Sequence, residues 1–447
     1  MDPEEKNPFH IPYESWKTVK VPADAEHDEL TGLYNRRAFY RHAQEMIQQD
    51  PEADYCVILS DIENFKMINN RYGEKKGDEL LRYIGTCLGA MNGEHVLFAR
   101  FGGDQFVGLM RQIAPIGDDA ETPIVESMQM LYQYAPVERF TVKFGIYDDV
   151  DHTLPISAMC DRAMMAVRSI KHQYGRTIAK YDQNMQTQYL REQAFLEYME
   201  EALKKDQFQV YYQPKHSAQT GELIGAEALI RWIHPVFGFL APDEFLPLFE
   251  RNGFISRLDL YVLEKVCEAQ NDWLARGLPV VPISVNAFRK DFYHGNCVQL
   301  LKKTLKKSAL DPKLLHMEVT ESLYIEDAEK LRPIIEEIRD LGIKVELDDF
   351  GSGYSSLAIL NTLPLDIIKM DIGFVRQFEQ QRLVIEAMIE LMHRLGYQIV
   401  AEGVETAKQL EALREMGCDA VQGYYYSIPL PHDEFEEYVK RLQKTEN

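Results

Sequence analysis

From residue 207 to residue 447, short runs rich in β-branched and aromatic residues alternate with helical ones, and this alternation restricts the fold more than any other feature. The runs read FQVYYQP, LIGAEALIRW, VVPISVN, LLHMEVTE, IKVELDD, LDIIKMD, QIVAEG and CDAVQGYY, interleaved with helical segments such as PIIEEIRDLG and KQLEALREMG. Strands separated by helices join as neighbours in a sheet, and a series of this length closes into a (β/α)8, TIM-like barrel. The pattern leaves the strand order near the start of the series open.

Polar groups gather at the ends of these runs. Glu227 and Arg231 lie in the second, Asn286 ends the third, Glu318 and Glu321 the fourth, and Asp348 with Asp349 the fifth. Lys369 and Asp371 end the sixth, Glu402 and Glu405 follow the seventh, and Gln422 follows CDAV. A single carboxylate at a strand end is more often a solvated turn or a helix cap. Successive strand ends carrying such groups are hard to explain that way, because in a barrel they converge on one mouth. An oxygen-rich set suits hard cations such as Mg2+ or Mn2+, and no His or Cys ligand spacing calls for structural zinc. The adjacent aspartates would bridge two ions about 4 Å apart, a geometry for attack of water on a phosphodiester. Lys369 would then hold the water or neutralise phosphate, and Glu402 would accept a proton. The loop DFGSGYSSL, Asp349 to Leu357, reads equally as a moving gate or as a tight strand-to-helix connection.

The first part of the chain divides into a polar, proline-containing arm (1–27), a compact α/β domain (28–182) and a charged helical connector (183–206), with the barrel domain spanning 207–447. In the α/β domain RFGGDQF, Arg100 to Phe106, sets two glycines and an acid between the apolar runs VLFA and FVGLM, the pattern of a β-hairpin. The formal charge of -22, from 71 acidic against 49 basic residues, argues against nonspecific binding to a nucleic acid polymer or an anionic membrane. The 6 cysteines are scattered without paired spacing, which reads as buried thiols in a cytoplasmic protein. The sequence shows neither a signal-peptide core nor an apolar run of membrane-spanning length.

In order along the barrel half, YYQP with EALIRW, SVN, EVTES, DDFGSGYSSL, LPLDIIKMD, AEGVET and GCDAVQGYYYSIPLP resemble the EAL family of cyclic di-GMP phosphodiesterases. The resemblance implies hydrolysis of cyclic di-GMP to linear pGpG with two Mg2+ or Mn2+ ions. It implies Glu227, Asn286, Glu318 and Asp348 as ligands of one metal, with Asp349 bridging to or binding the second. Lys369 and Glu402 then act on the attacking water, Glu321 steadies the loop carrying the aspartates, and Gln213, Arg231 and Gln422 lie around the dinucleotide, a group that Asp371 and Glu405 extend. The family also implies a homodimer formed through the barrel. Phe288 departs from the small residue common after the SVN asparagine.

DELTGLYNRRAF, SDIENFKMINNRYG, GDELL and RFGGDQF similarly resemble the GGDEF family of diguanylate cyclases. The resemblance assigns Asp61 and the acids of the signature to metal on GTP phosphates, Asn69 and Asp78 to guanine, and Gly102, Gly103 and Asp104 to the signature turn. Here Gln105 replaces the second acid, Asn70 a frequent aspartate, and Lys171 stands one residue further than usual from Arg176. Gly93 and Val96 occupy the positions of the product-inhibition motif. These departures imply a degenerate domain, either a structural remnant or an allosteric GTP site. A barrel that binds cyclic di-GMP without cleaving it, and a chain that keeps both activities, are the competing readings.

Overall fold

The computed structural model describes residues 25–112, 131–148, 150–171, 173, 175–286, 297–351, 360 and 362–446. Phe288 and most of the DFGSGYSSL loop lie outside the described residues, as does the arm up to residue 24. The chain separates into two compact units, Met1–Gln193 and Ala194–Asn447.

The first unit holds strands β1 (Tyr34–Asn35), β2 (Tyr55–Ile62), β3 (Val96–Gly102), β4 (Gln105–Arg111), β5 (Val142–Tyr147) and β6 (Ile178–Lys180), and helices α1 (Arg36–Gln49), α2 (Phe65–Tyr72), α3 (Glu74–Gly89) and α4 (Ile156–Ile170). The strands form one sheet in the order β1-β3-β4-β2-β5-β6. Period-2 alternation gives the sheet two apolar faces. Val57, Leu59, Val107 and Leu109 pack beneath Phe39 and Ala43 of α1 and Met159 and Ala163 of α4. Phe98 and Phe106 face the other way, against Ile68 of α2 and Leu80 and Ile84 of α3. Asn35 starts α1 by accepting a hydrogen bond from the Ala38 amide at 3.0 Å, which satisfies one of the helix's open donors. Gly145 lets α4 lie directly on β5, since a Cβ there would sit 2.0 Å from the Ala163 carbonyl oxygen. RFGGDQF is the hairpin turn between β3 and β4, with Gly102 and Gly103 at φ of 119° and 56°, where side chains are strained.

Helix α5 (Gln183–Lys204) runs from the end of this unit into the next. The barrel strands are β7 (Phe208–Ser217), β8 (Leu223–His234), β10 (Ile283–Asn286), β11 (Leu315–Thr320), β12 (Lys344–Phe350), β13 (Ile367–Met370), β14 (Gln398–Glu402) and β15 (Ala420–Gln422), with short flanking strands β9 (Gly238–Leu240) and β16 (Leu430–Pro431). Among the described residues the α-helices of this half are α6 (Pro242–Asn252), α7 (Ile255–Ala275), α8 (Cys297–Ser308), α9 (Glu321–Asp340), α10 (Ile372–Arg376), α11 (Phe378–Leu395), α12 (Ala407–Glu415) and α13 (His432–Glu446).

Pairing of β7 with both β8 and β15 closes the ring, and the expected barrel is present. It is not uniformly parallel: β7 runs antiparallel to both neighbours. No helix separates β7 from β8; a tight turn at Gly221 joins them, so the second strand must reverse the first. The other ring strands, β8 and β10 to β15, run parallel, and α6 to α12 connect them wherever the connecting residues are described, the β12–β13 connection excepted. Local signals set several of these helices. Thr406 and Gln409 form a reciprocal capping box that starts α12, and Gly396, at φ 88°, ends α11. Among the described residues no helix is long and apolar enough to cross a membrane.

Candidate active site

Parallel register delivers the polar strand ends to one mouth. Ser284 pairs with Glu227, Asn286 with Glu318, Thr320 with Asp348 and Glu402 with Gln422. At the centre stands Lys369 of β13, 1% exposed. Its ammonium lies 3.2 Å from Glu227, 3.0 Å from Glu318, 2.9 Å from Asp348 and 2.8 Å from Glu402. Four carboxylates from four strands therefore surround one cation. Burial opposes the charge on Lys369, but these acids outweigh it and raise its pKa well above the ordinary value. Burial and the neighbouring Glu227 push Glu318 well up. Burial also pushes Glu402 up to about 7, against the pull of Lys369 and with the help of Asp348.

The two aspartates part company at an irregularity in β12. The register with β13 shifts between Leu347 and Phe350, and Asp349 adopts a left-handed φ of 57°. A bulge of this kind re-aims side chains. Asp348 turns toward Lys369, while Asp349 is exposed and its amide donates to the Asp348 carboxylate at 3.0 Å. Asp348, Asp349 and Glu402 still bring one carboxylate oxygen each within 4.8 Å of one another. An oxygen-only donor set of this density fits a hard divalent cation.

Gln422 donates to Glu227 at 2.6 Å and to Gln213 at 3.0 Å, which ties β15, β8 and β7 together at the rim. Arg231 lies four residues along β8 from Glu227, its guanidinium 5.7 Å from the centre of the Tyr211 ring. Glu321 is buried at the start of α9. The structure does not bring Asp371 and Glu405 into the Lys369 cluster. Asp371 caps α10 by accepting from the Gly373 amide at 2.8 Å, and Glu405 is exposed, 3.9 Å from Arg376.

A second buried cation was not singled out from the sequence. Lys215 of β7 bonds Ser284 at 2.7 Å, Glu318 at 3.0 Å and Glu346 at 2.7 Å, and Glu346 is held further by Ser284 and His316. The available signal was a charge inside each of the strand-like runs YYQPKHS and KVELDD.

In the first unit Asp61, one residue before the end of β2, lies directly opposite Gln105. The Gln105 carboxamide donates to Asp61 at 3.2 Å, and the Lys171 ammonium lies 3.1 Å from the same carboxylate. Burial and the proximity of Asp61 raise the Asp104 pKa. Asn69 stands on α2 against Gly77, where a Cβ would meet its Oδ1 at 1.9 Å, and that buried oxygen has no hydrogen-bond partner among the described residues. Asp78 follows Gly77 on α3.

Comparison with known proteins matches residues 197–429 to the EAL domain and residues 25–177 to the diguanylate cyclase, GGDEF domain. The chain is 34% identical over 424 residues to the bifunctional diguanylate cyclase/cyclic di-GMP phosphodiesterase MucR of Pseudomonas aeruginosa, covering 92% of this chain and 61% of the relative. It is 32% identical over 431 residues to the cyclic di-GMP phosphodiesterase NbdA of the same organism, covering 93% and 54%. The chain thus spans between 54% and 61% of the length of these two relatives. Among solved structures, the MucR phosphodiesterase in complex with c-di-GMP matches 54% of this chain and 99% of its own at 37% identity, with a TM-score of 0.52. The helix-GGDEF-EAL part of LapD from Vibrio cholerae matches 90% of this chain and 96% of its own at 21% identity and a TM-score of 0.53, a likeness of fold alone.

Proposed function

The chain belongs to the EAL family and carries a GGDEF domain ahead of its EAL domain, and from this we propose that its barrel hydrolyses cyclic di-GMP to linear pGpG. The observation that carries the reading is the Lys369 ammonium ringed by Glu227, Glu318, Asp348 and Glu402. A receptor that only held the dinucleotide would need no such group beside a carboxylate able to exchange a proton near neutral pH. Glu227, Asn286, Glu318, Asp348 and Asp349 would hold two ions, Mg2+ or Mn2+. Such ions, when bound, supply an activated water and neutralise charge on the phosphodiester. Lys369 holds the acids of the mouth together by offsetting their mutual repulsion, and orients the water among them. Glu402, whose pKa is near 7, takes up the proton released. Gln213, Gln422 and Arg231 line the rim where the dinucleotide would lie, while Glu321 would steady the loop carrying Asp348 and Asp349.

We assign the first domain, 28–182, a regulatory role, with 183–206 as its connector and 207–447 as the catalytic domain. Gln105 bonds to Asp61 where the family pattern has a second acid, which removes one charge from the metal set and argues against the cyclase activity in the name of MucR. Asp61, Asn69, Asp78, Gly102, Gly103 and Asp104 remain a candidate site for GTP as an effector. Leu383, Val384, Leu391 and Leu395 form an exposed apolar stripe on α11 that supports a homodimer through the barrel. The six buried thiols fit the reducing cytoplasm.

Chromatography of products after incubation with cyclic di-GMP and Mg2+ or Mn2+, with and without GTP, tests the reading. Linear pGpG should form only with metal, disappear in Glu227→Ala, and form faster with GTP. Tight binding without turnover in either metal would replace the enzyme with a receptor.

A further inference from the structure

The interior of a (β/α)8 barrel is normally filled by layers of branched apolar side chains. Here the layer beneath the mouth is charged. Three adjacent strands each carry two interior residues two positions apart: Ser284 and Asn286 on β10, His316 and Glu318 on β11, Glu346 and Asp348 on β12. The upper residue of each pair belongs to the proposed ion site. The lower residues make a floor, and Lys215 of β7 reaches across to it. Ser284, Glu346 and Lys215 are 1%, 0% and 4% exposed.

The three ammonium protons of Lys215 match its three partners: Ser284 Oγ at 2.7 Å, Glu346 Oε2 at 2.7 Å and Glu318 Oε1 at 3.0 Å. Lys369 approaches the other oxygen of Glu318, Oε2, at 3.0 Å. Glu318 is therefore gripped by two buried cations, one on each oxygen. Glu346 is held in turn, with its Oε1 2.7 Å from Ser284 Oγ and 2.7 Å from His316 Nδ1. Stability alone does not account for this arrangement, because replacing a buried ion pair with apolar residues of similar volume is often neutral or stabilising.

We propose that Lys215 is a positioning residue for the ion site: it fixes Glu318 through Oε1, so that Oε2 faces the mouth, and Glu346 holds the ammonium in place. The inference rests on the reading of the barrel as a divalent-ion site. Carboxylates that ligate metals depend on outer partners of this kind, whose loss typically weakens metal affinity by about 10–100-fold.

The test is calorimetric titration of Mn2+ alone into the metal-free full-length protein, with melting curves of the same samples. The samples are wild type, Lys215→Met and the double variant Lys215→Met/Glu346→Leu. Lys215→Met should melt lower, because Glu346 loses its cation, and should bind Mn2+ about 10–100-fold more weakly. The double variant should recover the melting temperature but not the Mn2+ affinity. Recovery of both would make the pair purely structural and overturn the proposal, as would unchanged affinity in either variant. Should Lys215→Met fail to fold, the double variant decides alone. Wild type that takes up no Mn2+ would sink the ion-site reading itself, and the proposal with it.

Discussion

Lys369 has two parts to play in the metal-free molecule: it occupies the centre of the mouth and it balances acids that would otherwise repel one another inside the barrel. Removing one partner of a buried charge cluster is costly, about 3–5 kcal/mol, because the remaining charges stay desolvated. Lys369→Met should therefore lower the metal-free melting temperature and abolish turnover. It should also enlarge the rise in melting temperature that Mn2+ produces, since the ions would relieve repulsion that the wild type has already relieved. Melting with and without Mn2+ separates these effects, and an unchanged Mn2+ increment would show that the acids are not ion ligands. Glu227 lies inside its run and was legible only through the family motif, whereas Asp348 and Glu402 were legible because each ends a strand-like run. The Lys215–Glu346 pair was not, because its partners are 131 residues apart and each looks like an ordinary surface charge until the barrel closes.

Among the elements, the barrel's strands and most of its helices follow from periodicity, but the reversed direction of β7 does not. Alternation of apolar and polar residues specifies faces, not direction, and only the short β7–β8 connection carries that information. The same half is held at its margins by two different kinds of contact. In the second half of α5, Phe195 is 1% exposed and its ring lies 5.0 Å from that of Trp232, which also meets Phe208, Phe245 and Phe249. Phe195→Ala should cost the barrel unit about 3–5 kcal/mol, read as a lowered urea midpoint. A loss below about 1 kcal/mol would mean that the second half of α5 is not part of that core. At α13, hydrogen bonds from Arg276, the residue after α7, and from Lys440 hold Glu436 down to about 2. Its usual value is 4.5, so this contact stabilises fully above pH 4.5 and is lost progressively as pH falls from there toward 2. Hydrogen exchange of α13 should be flat between pH 7 and 5 after correction for intrinsic rates, and protection should fall below about 4.5. Glu436→Gln should lose that acid-dependent component, and an identical acid response in the variant would place the titrating group elsewhere.

For the molecule as a whole, the net charge of -22 sets the protein against the substrate proposed for it. Cyclic di-GMP carries two phosphodiester charges of the same sign, so long-range electrostatics would oppose encounter, and attraction would begin only near the mouth, where the proposed cations together with Lys369 would reverse the local field. Screening by monovalent salt weakens the long-range part first, because the Debye length falls from about 30 Å at 0.01 M to about 8 Å at 0.15 M. The association rate of cyclic di-GMP should therefore rise as salt is added over this range, opposite to the behaviour of an enzyme whose surface steers its ligand inward. Stopped-flow binding to Glu402→Gln with Mn2+ held constant isolates association from turnover. A rate that falls steeply with salt would mean that the local cationic field reaches beyond the acidic surface, and that the mouth rather than the net charge governs encounter.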